Sequence, residues 1–181
     1  MIIEKDDGIY DAINKGIRLA VGEYVLLMNS GDELRNGVLK DVLPKLKKSD
    51  IYYGDVNIIS KGKKYLYKTD HIQLSHRMSI SHQGTFVYSK LYDSQMYDTS
   101  FKLSADFAYF NKCLRLKKQF VKLDLVVADF ESGGRSDTHF CSSRMENLQA
   151  LYSERQYLNM FVGFLRYVRE AIHLGVKKFV H

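Results

Sequence analysis

The sequence predicts an α/β domain with a mixed β-sheet flanked by helices. Strand and helix patterns alternate over the first half of the chain, and a hairpin pattern then interrupts the alternation. The composition agrees, since 45% of the 181 residues are hydrophobic and only one is Pro. A chain of this size can form one folded domain with a buried core.

The first predicted element is a helix over residues 8–20, where apolar residues recur with helical spacing. We expect Gly22 to end this helix in the left-handed conformation. Residues 24–28 are a continuous apolar run, which predicts a strand buried on both faces, as in a parallel sheet. The run ends at Asn29-Ser30-Gly31-Asp32, a sequence of turn-forming residues.

The middle of the chain predicts a short helix and several strands. The helix covers residues 38–46, and Pro44 must kink or split it. The predicted strands are 50–55, 56–60, 65–69 and 85–88. The basic run 61–64 lies between the second and third of these strands, so those two strands are predicted to form a hairpin.

The second half predicts a helix, two strands and a helical end. Ser104 is suited to cap a helix that continues to about residue 116. Strands are predicted at 120–123 and 126–130, a glycine-containing turn at 133–136, and helix from about residue 139 onward.

The net charge of +6 suits an anionic partner such as a diphosphate, a nucleic acid or a membrane face, and equally suits general solubility. Nucleic-acid binding ranks last, because no stacking or helix-turn-helix pattern supports it. Cys113 and Cys141 lack the spacing of a zinc site, and two cysteines do not make a disulfide scaffold. Without an apolar leader or a membrane-length apolar run, we expect a cytoplasmic protein.

The polar turn 29–32 is the first candidate site. Ligands of open α/β sheets bind at the carboxyl ends of strands, where a carboxylate such as Asp32 can hold a divalent cation against phosphate oxygens. Taken alone, Asp32 is better explained as a turn residue, since Asp and Gly are favoured in turns for conformational reasons.

Longer motifs make the pattern specific. They are EKDDGIYDAINKGI at residues 4–17, AVGEYVL at 20–26, NSGD at 29–32, YGD at 53–55, SHQGTF at 81–86, LSADF at 103–107 and ESGGRS at 131–136. In this order they resemble the family 2 glycosyltransferases of the GT-A fold, particularly bacterial members that build surface polysaccharides. The likeness runs from residue 3 to about 137. It implies a GT-A domain at 1–137 and a C-terminal helical extension at 138–181.

The resemblance implies an inverting, metal-assisted transfer of a sugar from a nucleotide-diphosphate donor, for which a UDP-sugar is expected, to a glycan or lipid-linked glycan. It places a Mn²⁺ or Mg²⁺ ligand at Asp32, although Asn29 and Gly31 stand where aspartates are often found. It places the general base at Asp106, which is otherwise explained as a helix-start Asp.

The donor-binding residues that the resemblance implies are Asp7, Asp11, Asn14, Lys15, His82, Gln83 and Arg135. For the first four, a solvated helix face is an equal explanation. His82 and Gln83 offer donors toward the diphosphate or the acceptor, and Arg135 is expected to fold over the leaving phosphates.

The C-terminal residues 160–181 form a basic amphipathic pattern that suits the inner face of a membrane, packing onto the domain, or a dimer partner.

The family's first strands have no counterpart before residue 4, so we expect weak or absent catalysis by this chain. We also expect an exposed sheet edge that favours a homo-oligomer or aggregation. The alternative function is a non-catalytic assembly or membrane-associated module of the same fold.

Overall fold

A computed structural model describes residues 4–47, 49–134 and 138–179, with side chains as far as residue 173. The helices of this part are α1 (Ile9–Leu19), α2 (Val38–Val42), α3 (Leu91–Ser94), α4 (Ala105–Arg115), α5 (Phe140–Ser153) and α6 (Tyr157–Phe179). The strands are β1 (Tyr24–Leu26), β2 (Glu33–Leu34), β3 (Ile51–Ser60), β4 (Lys63–Tyr67), β5 (Thr85–Tyr88) and β6 (Phe120–Glu131). Short 3₁₀ helices lie at Leu43–Lys45, His71–Ser75 and His82–Gly84.

The strands form one mixed sheet in the order β1-β5-β3-β6-β2, with β4 beside the distal half of β3. The long strand β3 is parallel to β6 on one side and antiparallel to β5 and then β4 on the other. The predicted α/β class with a mixed sheet is therefore confirmed.

Strand β1 lies at the edge of the sheet. It pairs antiparallel with β5, from Tyr24 opposite Tyr88 to Leu26 opposite Phe86, and no described strand pairs with its other edge. The prediction of a strand buried on both faces in a parallel arrangement is wrong: only Val25 of β1 is fully buried. A short apolar run does not reveal strand direction, which depends on distant partners.

Two helix-end predictions had different outcomes. Pro44 does split the predicted helix, because α2 ends at Val42 and a 3₁₀ turn follows it. Gly22 does not cap α1. The helix ends at Leu19, the next residue Ala20 is already extended, and a glycine with positive φ lies instead just before the helix, at Gly8. The chain leaves α1 in an extended direction toward β1, so it needs no left-handed turn there.

The predicted hairpin is confirmed, with a tighter turn than the basic run suggested. Ser60 pairs with Lys63, which leaves Lys61 and Gly62 as a two-residue turn with φ of 50° and 73°. Positive φ at both positions is the geometry that matches strand twist in short hairpins.

The two strands predicted at 120–123 and 126–130 form a single strand, β6. Its register against β3 shifts where Tyr53 pairs with Lys122 and Asp55 pairs with Val126. The predicted break therefore corresponds to a bulge, which bends a strand without ending it.

The sheet separates two hydrophobic clusters. The larger one packs α1, α4 and α5 against one face and includes Tyr10, Ile51, Phe107, Phe110 and Leu151. The smaller one covers the other face and centres on Val42, Val56 and Val127. Helix α5 thus shares the main core with the rest of the domain. In the described part of the chain, no helix has both the length and the apolarity to cross a bilayer.

Gly54 marks the closest approach between β3 and β6. A Cβ atom there would lie 2.7 Å from both Leu125 O and Val127 Cγ2. We expect Gly54→Ala to lower the free energy of unfolding by about 1–3 kcal/mol, because backbone atoms must move apart. The matched control is Gly16→Ala in α1, where no heavy atom lies within 4 Å and a gain of about 0.5–1 kcal/mol is expected. Denaturant unfolding measures both, and equal stabilities for the two variants would contradict the close approach.

Candidate active site

Asp106 lies in the first turn of α4, whose start is fixed by α5. The backbone N–H groups of Leu103 and Ser104 each donate to Glu146 Oε2 at 2.9 Å. Ser104 occupies the predicted N-cap position, but its side chain makes no cap hydrogen bond and donates to Ser143 O instead. Glu146 therefore anchors the backbone that leads into α4, while the Phe107 N–H in the first turn is accepted by Asp106 itself.

The two oxygens of Asp106 have different surroundings. Oδ1 accepts hydrogen bonds from the Tyr10 hydroxyl at 3.2 Å and from the Phe107 backbone N–H at 2.8 Å. Oδ2 faces the His82 ring, 3.4 Å from Nδ1. The Asp106 side chain is 18% exposed. Oδ1 is thus held by two donors, whereas Oδ2 has one longer contact, to the His82 ring.

Tyr10 is a site residue that the sequence analysis missed. It is buried in α1, and burial together with the charge of Asp106 raises the pKa of its phenol. The hydroxyl consequently stays protonated and acts as a donor. The signal available in the sequence was the tyrosine itself, because the hydroxyl of a buried tyrosine needs a hydrogen-bond partner.

His82 connects Asp106 to the polar turn after β1. Its Nε2 lies 3.0 Å from the Asn29 side-chain nitrogen. Because an amide nitrogen can only donate, Nε2 is the acceptor in this contact, which leaves Nδ1 to donate toward Asp106.

Asp32 closes that turn on itself. The Asn29 backbone N–H donates to Asp32 Oδ2 at 2.8 Å, and the Asp32 N–H donates to Asn29 O at 3.1 Å. Contacts therefore run without interruption from Asp32 through Asn29 and His82 to Asp106. The structure brings the two predicted acidic residues to one rim of the sheet.

The turn offers few ligands for a cation. Within residues 4–47, 49–134 and 138–179, no group of three or more His, Cys, Asp or Glu side chains is arranged to hold a metal. Asp32 keeps one carboxylate oxygen outside the turn hydrogen bond. Such a site fits a Mg²⁺-like ion that takes its other ligands from a diphosphate and water.

Asp7 and Asp11 line a cleft of about 180 Å³ beside Tyr10, with Phe101 and Lys102 on the opposite wall. Asp11 Oδ2 accepts from the Asp7 backbone N–H at 3.1 Å, and this bond together with Lys15 lowers the pKa of Asp11. Carboxylates in this position can accept hydrogen bonds from sugar or ribose hydroxyls.

Lys15 and Asn14 are already engaged. Lys15 Nζ lies 3.0, 2.9 and 3.1 Å from the carboxylates of Glu4, Asp6 and Asp11. Asn14 is buried, so the explanation of a solvated helix face is wrong for it. Its amide donates to Tyr97 O at 2.8 Å and accepts from Tyr97 N at 3.0 Å.

The Asn14–Tyr97 pair supports the site from behind. The Tyr97 ring stacks on Tyr10 with centroids 5.8 Å apart, and Tyr10 in turn holds Asp106.

Gln83 is also buried and accepts a hydrogen bond from the Ser81 hydroxyl. Arg135 lies outside the described residues.

Comparison with known proteins gives two findings. The family model for "Glycosyl transferase family 2" matches residues 2–116. Proteins named "PGL/p-HBAD biosynthesis glycosyltransferase" from Mycobacterium bovis (strain BCG / Pasteur 1173P2) and Mycobacterium tuberculosis (strain ATCC 25177 / H37Ra) are 28% identical over 145 residues. The match covers 75% of this chain and 56% of each relative, so the chain spans little more than half the length of these relatives.

Proposed function

This chain belongs to glycosyl transferase family 2, and on that premise we propose that it transfers a sugar from a nucleotide-diphosphate donor to a hydroxyl of a glycan or lipid-linked glycan. The supporting observation is the contact chain from the Asp32 turn to Asp106. It links the residue proposed to face the diphosphate with the residue proposed to face the acceptor.

Asp106 is proposed as the general base. Its Oδ2 takes the proton of the acceptor hydroxyl while the hydroxyl oxygen attacks the anomeric carbon. The bond from that carbon to the phosphate oxygen breaks, and the nucleoside diphosphate leaves with the bonding electrons. Attack opposite the leaving group inverts the anomeric centre.

Tyr10 and His82 are proposed as positioning residues. Tyr10 holds Oδ1, which leaves Oδ2 as the oxygen proposed to take the proton. His82 presents its Nδ1 proton to Oδ2 and keeps the Asn29 amide against the turn. Holding the base in one orientation reduces the reorganisation needed during attack.

Asp32 is the residue proposed to hold Mn²⁺ or Mg²⁺ together with the donor diphosphate. When bound, the ion would neutralise charge that develops on the departing diphosphate.

Asp7, Asp11 and Gln83 are proposed to contact a UDP-sugar. For Lys15 and Asn14, the observed partners favour a supporting role, in which they hold Asp11 and the wall of the cleft. Arg135 is proposed as a clamp on the phosphates.

Helix α6 presents its apolar side outward, and we propose that this side lies on a membrane surface. Large apolar side chains are exposed by at least 37% at Leu158, Phe161, Val162, Phe164, Leu165, Val168 and Ile172. Arg166 and Glu170 lie instead on the side that faces α5. The helix is therefore inverted relative to one that packs its apolar stripe on a core.

The charge around this apolar face favours anionic lipid over a second copy of the chain. The exposed charged residue within the described part of this face is Arg169, and Glu170, the next residue, pairs instead with Arg144 and Arg166. The same face of another copy would offer only the same arginine and apolar neighbours. Phosphate head groups supply the missing negative charge. The same surface is what would support the alternative function of a non-catalytic membrane-associated module.

Asp32→Ala tests the donor site. Uridine diphosphate with Mn²⁺ is expected to raise the melting temperature of the wild-type chain, and the variant should lose most of that rise because the ion loses its protein ligand. Asp41→Ala, an exposed change in α2, is the control and should respond like the wild type. A full response from Asp32→Ala would exclude its role. If the wild type shows no response but binds vesicles, the non-catalytic module is favoured.

Asp106→Asn tests the base. Release of uridine diphosphate from a UDP-sugar in the presence of Mn²⁺ is expected to fall about 10²–10⁴-fold, with the donor dissociation constant unchanged, because only proton removal is lost. Tyr10→Phe should reduce turnover by about tenfold, also without affecting donor binding. Asp124→Asn, exposed on β6, is the control. Turnover by Asp106→Asn at the wild-type rate would refute the mechanism.

Co-sedimentation with phosphatidylglycerol vesicles tests the α6 face. The double variant Phe161→Glu/Leu165→Glu is expected to bind at least about tenfold more weakly, because charged groups replace buried apolar area. Leu66→Glu is the control, since Leu66 is 52% exposed on the β4 hairpin. Equal sedimentation of all three proteins would contradict the proposal, and a dimer that the double variant abolishes would assign the face to a second copy.

A further inference from the structure

Arginines from three parts of the chain converge where α6 packs against the domain. Arg144 of α5 and Arg166 of α6 approach the two oxygens of Glu170, at 3.3 Å and 3.1 Å from their Nε atoms. Arg77, from the segment after the 3₁₀ helix His71–Ser75, lines the same small cavity. We call these three residues the arginine cluster.

The arginine cluster carries more positive than negative charge. Among the residues that line the cavity, Glu170 is the sole carboxylate opposite three guanidinium groups. Burial, with Arg166 and Arg77 nearby, lowers the pKa of His76, which therefore stays neutral at pH 7. The surplus at this junction is two positive charges.

Arg77 is the member without a counter-ion. Its guanidinium donates to Gln73 Oε1, a neutral acceptor, and no carboxylate of the described chain pairs with it. Burial and the like charges of Arg166 and Arg144 lower its pKa. A cation held in such surroundings gains from any anion that reaches it.

Polar atoms inside the junction also lack partners. Asn147, which is 5% exposed and lines the cavity, has a side-chain oxygen without a hydrogen bond, and the shielded Nε atom of Arg144 lies 3.3 Å from Glu170 Oε2 without forming a hydrogen bond. A half-turn of the Asn147 amide would present its NH₂ group instead. The cavity measures about 20 Å³, room for one water-sized group.

We propose that the arginine cluster is a binding site for a phosphate group. One phosphate oxygen would enter the cavity, where Arg144 Nε makes no hydrogen bond and a rotated Asn147 amide would present its NH₂ group. The remaining oxygens would meet the outer guanidinium edges, since the Arg144 and Arg166 side chains are 31% and 29% exposed. Planar guanidinium forks bind phosphate oxygens in pairs, which a lone lysine cannot do. This site is separate from the sugar-transfer site, and the proposal does not depend on that function.

The simpler explanation is that the arginines only tie α6 to α5 through Glu170. Arg144 and Arg166 suit that explanation, but Arg77 makes no ion pair with Glu170. The two explanations therefore predict opposite effects for Arg77→Gln. A purely structural network would lose stability, whereas a phosphate site would lose ligand response while the ligand-free protein keeps or gains stability.

The experiment is thermal unfolding of the full chain in inorganic phosphate or pyrophosphate, compared with chloride at equal ionic strength. We expect a higher melting temperature in the phosphate salts, and an apparent affinity at least about tenfold weaker in Arg77→Gln. Glu170→Gln should bind phosphate more tightly although it removes the α5–α6 ion pair. Arg115→Gln is the control, because Arg115 pairs with Glu154 away from the cluster.

A second arm separates free phosphate from a lipid head group. Vesicles containing phosphatidic acid are compared with phosphatidylcholine vesicles, with and without competing pyrophosphate. Arg77-dependent binding to soluble phosphate identifies a free ligand, and Arg77-dependent binding to phosphatidic acid alone identifies a lipid. No Arg77-dependent response in either arm, or a destabilised ligand-free Arg77→Gln, would overturn the proposal.

Discussion

The hydrogen bond from Tyr10 to Asp106 is the constraint around which the candidate site is arranged. It joins α1 to the start of α4 across the main core, and it uses a phenol that burial keeps protonated. Tyr97 supports it by stacking on the Tyr10 ring. Asn14 in turn fixes Tyr97, because its side-chain amide hydrogen-bonds to both the backbone C=O and the backbone N–H of Tyr97. The position of one carboxylate oxygen therefore depends on packing far from the surface where a substrate would arrive.

Local chemistry allowed much of the fold to be predicted. The split of the helix at Pro44, the hairpin at the basic run and the bounds of β5 all agree with the predictions. Each of these features depends on residues that are neighbours in the sequence. The antiparallel direction of β1 was not predictable in this way, because Tyr88 and Phe86 are far along the chain. Distance in sequence, rather than weak patterning, set the limit.

The same limit applies to the site. Asp32 and Asp106 were named from motifs, and His82 from its place in one of them. Tyr10 was overlooked because a tyrosine in a helical stripe is usually a core residue, and Glu146 because its role lies in bonds to backbone groups some forty residues away. Motifs identify the residues that do chemistry more readily than the residues that hold them.

The Asn14–Tyr97 contact has a consequence for how the cleft beside Tyr10 can widen. The wall opposite Asp7 and Asp11, formed by Thr99, Phe101 and Lys102, begins two residues after Tyr97. The backbone N–H and C=O of Tyr97 are both hydrogen-bonded to the buried Asn14 side chain. Lys102 is restrained in turn by Glu146, which accepts its backbone N–H. Breathing of this wall is thus confined to a span of about four residues between two fixed points. A larger ligand would therefore fit only after rotamer changes of Phe101 and Lys102. Displacing the whole segment would break the buried hydrogen bonds between Asn14 and Tyr97.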